Sequence, residues 1–251
     1  MPSPTPDKVT KLKAKRPSRR VRPNLPLVER TNALTIEEFI SHYVDPSTTP
    51  AVSNGTRPSP RSDVYSAASI SRRNLEACLD LVEQTSAAAY AASSMGWSRS
   101  KKRQEMLLPD MKFMIMRGDG ADTTISPNNN GNNDDNDQSS ASAKEGPVLG
   151  FLSFMVTYED GKEVIYCYEI HLSPAARGRG LGKELMERME RIGRAVGVEK
   201  AMLTVFKSNE TACRFYDRLG YEVDEYSPQP RRLRNGTIKA DYLILSKRLK
   251  K

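Results

Sequence analysis

Three cysteines in 251 residues, Cys78, Cys167 and Cys213, are too few and too scattered for a disulfide framework or a structural zinc site. Two histidines, His42 and His171, leave little from which to build a metal enzyme, so no metal is expected. No apolar run approaches the roughly 20 residues that a membrane-spanning helix needs, so no membrane partner is expected. The polar, basic N-terminal stretch does not read as a secretory signal, and a reducing, intracellular setting is expected. Hydrophobic residues make up 37% of the chain, too few for a core running through its whole length, so part of it is expected to stay unfolded.

Charge is present but unevenly placed. The net charge is +8, and residues 1–30 alone carry nine Lys/Arg against Asp7 and Glu29, leaving the remainder near neutral. The basic character therefore belongs to a tail, read as a nuclear-import signal or a polyanion-binding arm. Residues 1–30 are predicted to be a disordered basic tail and 31–69 a short helix with a linker. A single domain follows over 70–251, interrupted by an Asn-rich disordered insert over 118–146. Thr35-Ile36-Glu37-Glu38 reads as a capping box that opens the short helix. Within the domain, a helix from about Ser71 carries Leu75, Leu79 and Val82 on one face. Strands over 111–116, 149–157 and 164–172 precede a long helix with Leu181, Leu185, Met189, Ile192 and Val196 on its apolar face. A strand over 201–206, a helix over 209–219 and two last strands complete an α/β fold, one mixed sheet flanked by helices. Residues 226–240 read as a basic loop.

The chemistry is densest at Arg177-Gly178-Arg179-Gly180-Leu181-Gly182, between a β-type run and the long helix. A glycine-rich turn that opens a helix leaves unpaired N–H groups at the positive end of the helix dipole, and these bind phosphate. Arg177, Arg179 and Lys183 add positive charge there. The spacing fits neither a Walker loop nor the dinucleotide fingerprint. It resembles Arg-x-x-Gly-x-Gly, the acetyl-coenzyme A signature of the GCN5-related N-acetyltransferases (GNAT fold), read on Arg177, Gly180 and Gly182. The resemblance implies a mostly antiparallel sheet, a loop holding the pyrophosphate of acetyl-CoA, and a preceding strand that splays to receive the pantetheine arm.

Glu169, embedded in Tyr166-Cys167-Tyr168-Glu169, is the candidate general base. An acid among aromatic and aliphatic neighbours is expected to have a raised pKa. Strand alternation would put Glu169 and the two tyrosines on opposite faces, so a bulge is expected near it.

Tyr166-Cys167-Tyr168-Glu169 and Leu203-Thr204-Val205-Phe206-Lys207 resemble the NatD-type N-terminal acetyltransferases, which acetylate the terminal serine of core histones four and two-A. The similarity runs from about Ser71 to Arg248. It implies an N-alpha-acetyltransferase of nucleus and cytoplasm whose partners are histone tails beginning Ser-Gly-Arg-Gly. The basic tail suits the ribosome or nucleic acid as a further partner. Carried over by position, Glu169 is the base. Tyr90, Thr157, Tyr158, Glu159, Tyr168, Thr204 and Tyr242 contact the peptide, with Glu159 reading the substrate arginine and Asp160 as its helper. Ile170, His171, Leu172, Arg177, Gly178, Arg179, Gly180, Leu181, Gly182, Lys183 and Asn209 contact acetyl-CoA, and Tyr216 is coenzyme contact or core. Met95 and Thr157 stand where the family carries an indole and an aspartate. Two alternatives remain: a lysine acetyltransferase of the same fold, and a non-catalytic chromatin or nucleic-acid module.

Overall fold

The computed structural model describes residues 25–44, 61–118, 146–233, 236–238 and 240–250, without the side chains of 61 and 231–238. Its elements are α1 (Leu27–Asn32), α2 (Ile36–Tyr43), β1 (Arg61–Ser66), α3 (Arg72–Ala91), α4 (Arg99–Met106), β2 (Lys112–Arg117), β3 (Val148–Glu159) and β4 (Lys162–Leu172). Then come α5 (Leu181–Val196), β5 (Lys200–Phe206), α6 (Glu210–Arg218), β6 (Glu222–Val223), β7 (Arg231–Leu233), β8 (Gly236–Ile238) and β9 (Tyr242–Arg248). Seven strands form one sheet in the order β1-β2-β3-β4-β5-β9-β6, with β7 and β8 a separate ribbon. Every pairing is antiparallel except β4 with β5.

The local chemistry explains the central hairpin. Asp160 and Gly161 both take positive φ, 47° and 76°, as a two-residue turn requires, and β3 and β4 pair directly on either side. Opposite-facing apolar residues then cover both faces of the sheet. On β2, Met114 and Met116 join the core under α5, while Phe113 and Ile115 join the core under α3 and α4. The predicted apolar face of α5 is buried as read, from Leu181 through Leu185, Met189 and Ile192 to Val196. Ser71 caps α3 by accepting from the Asn74 N–H, and Leu75, Leu79 and Val82 are buried beneath it. Thr35 and Glu38 form the predicted capping box. No described helix is long and apolar enough to cross a membrane.

Three boundaries differ from the sequence reading. The tail predicted over 1–30 lies outside the described residues as far as residue 24, but its last residues belong to α1, where Val28 is buried in the core. Asn32 Nδ2 donates to the Val156 carbonyl at 2.9 Å, which ties this helix to β3. The linker predicted up to 69 contains β1, paired along its length with β2. The basic loop over 226–240 contains the β7–β8 ribbon. The Asn-rich insert lies outside the described residues except at its ends, where the Gly118 N–H donates to the Pro147 carbonyl at 3.0 Å. The strands that flank it, β2 and β3, pair antiparallel.

Candidate active site

Two irregularities in β4 build the site. The first is a bulge: Ser153 faces Glu169 across the ladder, but Phe154 faces Cys167, so Tyr168 is an extra residue. The insertion reverses the alternation. Ile165 and Cys167 point into the core under α5, while Glu169 and His171 point toward α3 and α4. Glu169 thereby shares a face with Tyr166 and Tyr168, whose rings lie 5.3 Å apart. The predicted bulge is present and has the predicted effect.

The second irregularity is a gap. Parallel pairing of β4 with β5 ends at Cys167 opposite Leu203, although β4 runs on to Leu172 and β5 to Phe206. Beyond Cys167 the two strands part, which is the splay the resemblance implied. Past the gap the chain makes a 3-10 turn at Pro174–Ala176 and enters the glycine loop. Gly178 and Gly180 have φ of 71° and 79°, the left-handed region where glycine is unstrained. A Cβ on either would meet nothing within 4 Å, so the loop surface is open. Gly180 caps α5 without a side-chain acceptor, and the first helical bond is Glu184 N–H to the Gly180 carbonyl at 3.1 Å. The amides of Leu181, Gly182 and Lys183 precede it and have no carbonyl one turn back. Arg177, Arg179 and Lys183 are exposed around them. Open backbone, free amides and cationic rim fit a pyrophosphate.

On the α3 and α4 side lies a cavity of about 580 Å³, lined among others by Tyr90, Trp97, Lys102, Glu105, Glu159 and Phe206. Tyr166, Tyr168 and Thr204 also face it, and the Tyr166 hydroxyl is hydrogen-bonded to that of Thr204. The Tyr90 ring meets Phe206 edge-on at 5.1 Å and Trp97 at 5.8 Å, giving an aromatic wall. Met95 stands exposed at the mouth. Burial pushes the Glu159 carboxyl up, and the neighbouring Asp160 adds to this. A larger open groove of about 920 Å³ lies near β6 and β9, away from both Glu169 and the glycine loop.

Glu169 itself stands behind the cavity wall, only 6% exposed. Its Oε1 accepts from the Tyr90 hydroxyl at 2.7 Å and from Lys102 Nζ at 2.6 Å. Its Oε2 accepts from His171 Nε2 at 2.6 Å. Since a carboxylate only accepts, His171 carries its proton on Nε2; its Nδ1 meets the Thr85 hydroxyl, and its ring stacks on Phe151. The raised pKa expected for Glu169 is corrected here. Burial alone would push the carboxyl up, but His171 and then Lys102 outweigh it and hold it down at about 2.

The structure thus gathers Tyr90, Glu159, Tyr168 and Thr204 around one cavity, with Glu169 behind Tyr90 and Lys102. Ile170, His171 and Leu172 lie along the gap and lead to the loop residues Arg177 through Lys183. Tyr158 is not brought in: its hydroxyl donates to Glu29 on α1 at 2.9 Å, away from the cavity. Thr157 and Tyr242 pair with Val164 and Phe206 and do not line the cavity. Asp160 is occupied in the β3–β4 turn. The Asn209 side chain caps α6, accepting from the Ala212 N–H at 3.1 Å. Tyr216 is core, its ring tilted against Phe215 and edge-on to Tyr221. Sequence reasoning missed Lys102 and Glu105, because the polar helix carrying them shows no apolar period.

Residues 113–221 match the model of the acetyltransferase (GNAT) family, a span that includes Glu169, the gap and the glycine loop. Over that span, less than half of the chain, the sequence matches a GNAT acetyltransferase domain, a class that takes its acetyl group from acetyl-CoA. Among curated proteins it is similar to N-alpha-acetyltransferase 40 of Saccharomyces cerevisiae, 37% identical over 102 residues, covering 33% of this chain and 36% of that protein. It is also similar to the uncharacterized N-acetyltransferase YycN of Bacillus subtilis, at 26% identity over 33% of this chain and 53% of that one. The chain thus spans between about a third and about a half of the length of these relatives. Among solved structures, a GNAT acetyltransferase from Staphylococcus aureus Mu50 aligns with a TM-score of 0.49 at 10% identity, over 76% of this chain and 100% of that one.

Proposed function

We propose that this protein is an N-alpha-acetyltransferase that moves acetyl from acetyl-CoA to the terminal serine amine of histone tails beginning Ser-Gly-Arg-Gly. The observation that carries the reading is the gap between β4 and β5, which has the glycine loop at one end and the Glu169–Tyr90 pair at the other. Bound acetyl-CoA supplies the activated acyl group. The chain's part begins with the amides of Leu181, Gly182 and Lys183, which hold phosphate at the α5 N-terminus. Tyr90, Trp97 and Phe206 shield the amine from water, and Glu159 draws in the substrate arginine.

Proton handling follows from the hydrogen bonds. Tyr90 already donates to Glu169, so its oxygen faces the cavity as an acceptor. As the new C–N bond forms and the thioester C–S bond breaks, with coenzyme A leaving as the thiolate that takes up a proton, the nitrogen becomes strongly acidic. Its proton passes to Tyr90 Oη while the Tyr90 proton passes to Glu169 Oε1. A carboxyl held at about 2 is a weak base, which supports an amine that is already partly neutral as the substrate. An α-amine with pKa near 8 is about one-tenth neutral at pH 7, whereas a lysine near 10.4 is neutral only about four times in ten thousand. The site therefore suits terminal amines and disfavours the lysine reading. The homologous stretch of the yeast N-alpha-acetyltransferase 40 supports the same choice. The basic segment within residues 1–30 suits nuclear import or binding to nucleic acid or the ribosome, and a shared nuclear and cytoplasmic location goes with these substrates.

The test uses lysine-containing peptides that begin Ser-Gly-Arg-Gly, with free and blocked termini, read by mass spectrometry. Acetyl gain on the free terminus alone is the expected result; gain on internal lysines of the blocked peptide overturns it. Glu159→Gln with an Arg-to-Ala peptide forms a double-mutant cycle. A charge-assisted contact predicts a roughly tenfold to hundredfold loss in kcat/KM for either change, and little further loss when they are combined. Simple addition of the two losses excludes Glu159 as the arginine reader.

A further inference from the structure

Lys102 sits on a helix, Arg-Ser-Lys-Lys-Arg-Gln-Glu-Met, that the family match does not include. Lysines on so polar a helix normally point to water, yet this one is turned inward and is 7% exposed. All three of its N–H donors are used. They reach Glu169 Oε1 at 2.6 Å, Glu105 Oε2 at 2.8 Å and the Tyr90 oxygen at 3.0 Å, and the ammonium lies 4.5 Å from the Tyr90 ring centre. Burial works against the charge on Lys102, but Glu169, Tyr90 and Glu105 outweigh it and hold its pKa up.

We propose that Lys102 is a positioning residue of the acetyl-transfer site, fixing Glu169 in its charged form and joining it through Glu105 to the rim of the cavity. This rests on reading the cavity as the amine site. The groups facing Glu169 are Lys102 and Glu105 from α4, Tyr90 from α3, Cys167 and His171 from β4, and Tyr216 from α6. Lys102 is the cation among them that ion-pairs with Glu169 through a side chain of fixed charge. Without it, the carboxylate keeps only the bonds from Tyr90 and His171 while its burial is unchanged. The same ammonium, by donating to the Tyr90 oxygen, also orients the Tyr90 proton toward Glu169.

The experiment compares wild type with Lys102→Met, Lys102→Gln and Lys102→Arg. One readout is the pH profile of kcat/KM for a free-terminus peptide between pH 3 and 9, a range that contains the expected rise of Glu169 from about 2 to between about 3 and 5. The other is the ¹³C titration of the Glu169 carboxyl without substrate. In the Met and Gln variants the Glu169 midpoint should rise by about 1–3 pH units, carrying the acid limb of the rate profile with it. Lys102→Arg, which keeps the charge, should restore the wild-type profile. Gln keeps a neutral polar head on a shorter stem, so a failure of the Met variant to fold leaves the test intact. An unmoved Glu169 midpoint, or a rate loss equal at every pH, overturns the proposal. If wild type acetylates no terminal amine, the functional reading fails, while the carboxyl titration still decides whether Lys102 holds Glu169.

Discussion

Lys112 shows what one buried charge costs. It opens β2 and is 6% exposed; its Nζ donates to two neutral groups, Asn32 Oδ1 and the Asp110 carbonyl, each at 3.3 Å, and the Asp110 charge offsets only part of the cost of burial. The Phe39 ring lies 4.8 Å away. Burial holds its pKa down at about 8 from an ordinary 10.5. The folded state therefore sheds the proton before the unfolded state does. Below pH 8 both states are charged and the full penalty applies; it fades as pH rises from 8 to 10.5. Such a shift amounts to roughly 3 kcal/mol, partly offset by the contact with Phe39. Lys112→Met should thus raise stability at pH 7 by about 1–2 kcal/mol, with the gain shrinking by pH 10. Paired thermal melts at the two pH values check this, and a loss of stability at pH 7 contradicts it. In the sequence Lys112 is one of many lysines. Its burial depends on α1, which the reading had assigned to the tail. Lys102 was illegible for a similar reason: nothing local distinguishes an inward lysine from a solvated one, and only Glu169 and Glu105 settle its direction.

At the scale of elements, legibility followed period and punctuation. The apolar faces of α5 and α3 and the capping box of α2 were each signalled by spacing or by a capping residue. The β1 strand, Arg-Ser-Asp-Val-Tyr-Ser, and the α4 helix were not, because both are polar edge elements held by neighbours rather than by a pattern of their own. The α5 N-terminus carries a direct test. Gly180→Asp places a β-carbon at φ of 79° and a negative charge among the amides meant for phosphate. Strain of about 1 kcal/mol leaves the domain folded, since a Cβ there meets no atom within 4 Å. Acetyl-CoA affinity should fall at least about tenfold by calorimetry, with an unchanged circular dichroism spectrum. Unchanged affinity in the folded variant would remove the loop from the cofactor site.

For the molecule as a whole, the two cores on opposite faces of the sheet have different owners. The face under α5 is closed by the first two helices as well, with Val28 and Phe39 buried in it. A chain beginning at Thr35 loses Val28, the Asn32 bond to Val156 and the Tyr158 bond to Glu29. Burial of the valine and one good hydrogen bond together contribute about 3 kcal/mol. Its melting temperature should fall by roughly 6–12 °C. A shift of under 2 °C would mean that α1 is an ornament and the sheet stands without it. The mixed sheet itself was legible as a class, because strands and helices alternate after the hairpins. The bulge was legible only as a conflict between alternation and chemistry at Tyr168 and Glu169.

The early end of the β4–β5 ladder has a mechanical meaning besides its place in the site. Among the described residues, the ladder joining β1–β4 to β5, β9 and β6 runs from Val164 opposite Lys200 to Cys167 opposite Leu203, with one further backbone bond from the Glu199 N–H to the Glu163 carbonyl at its far end. The neighbouring ladders run from Gly150 to Glu159 on one side and from Lys200 to Phe206 on the other. Pulling on the chain so as to load this seam should unzip the short parallel ladder before either longer one, beginning where the strands already part. In an optical trap the first rupture would then release a C-terminal half made of β5, α6, β6 and β9, leaving the β1–β4 meander intact. Anything that binds across the gap and bridges the two strands would raise that first rupture force.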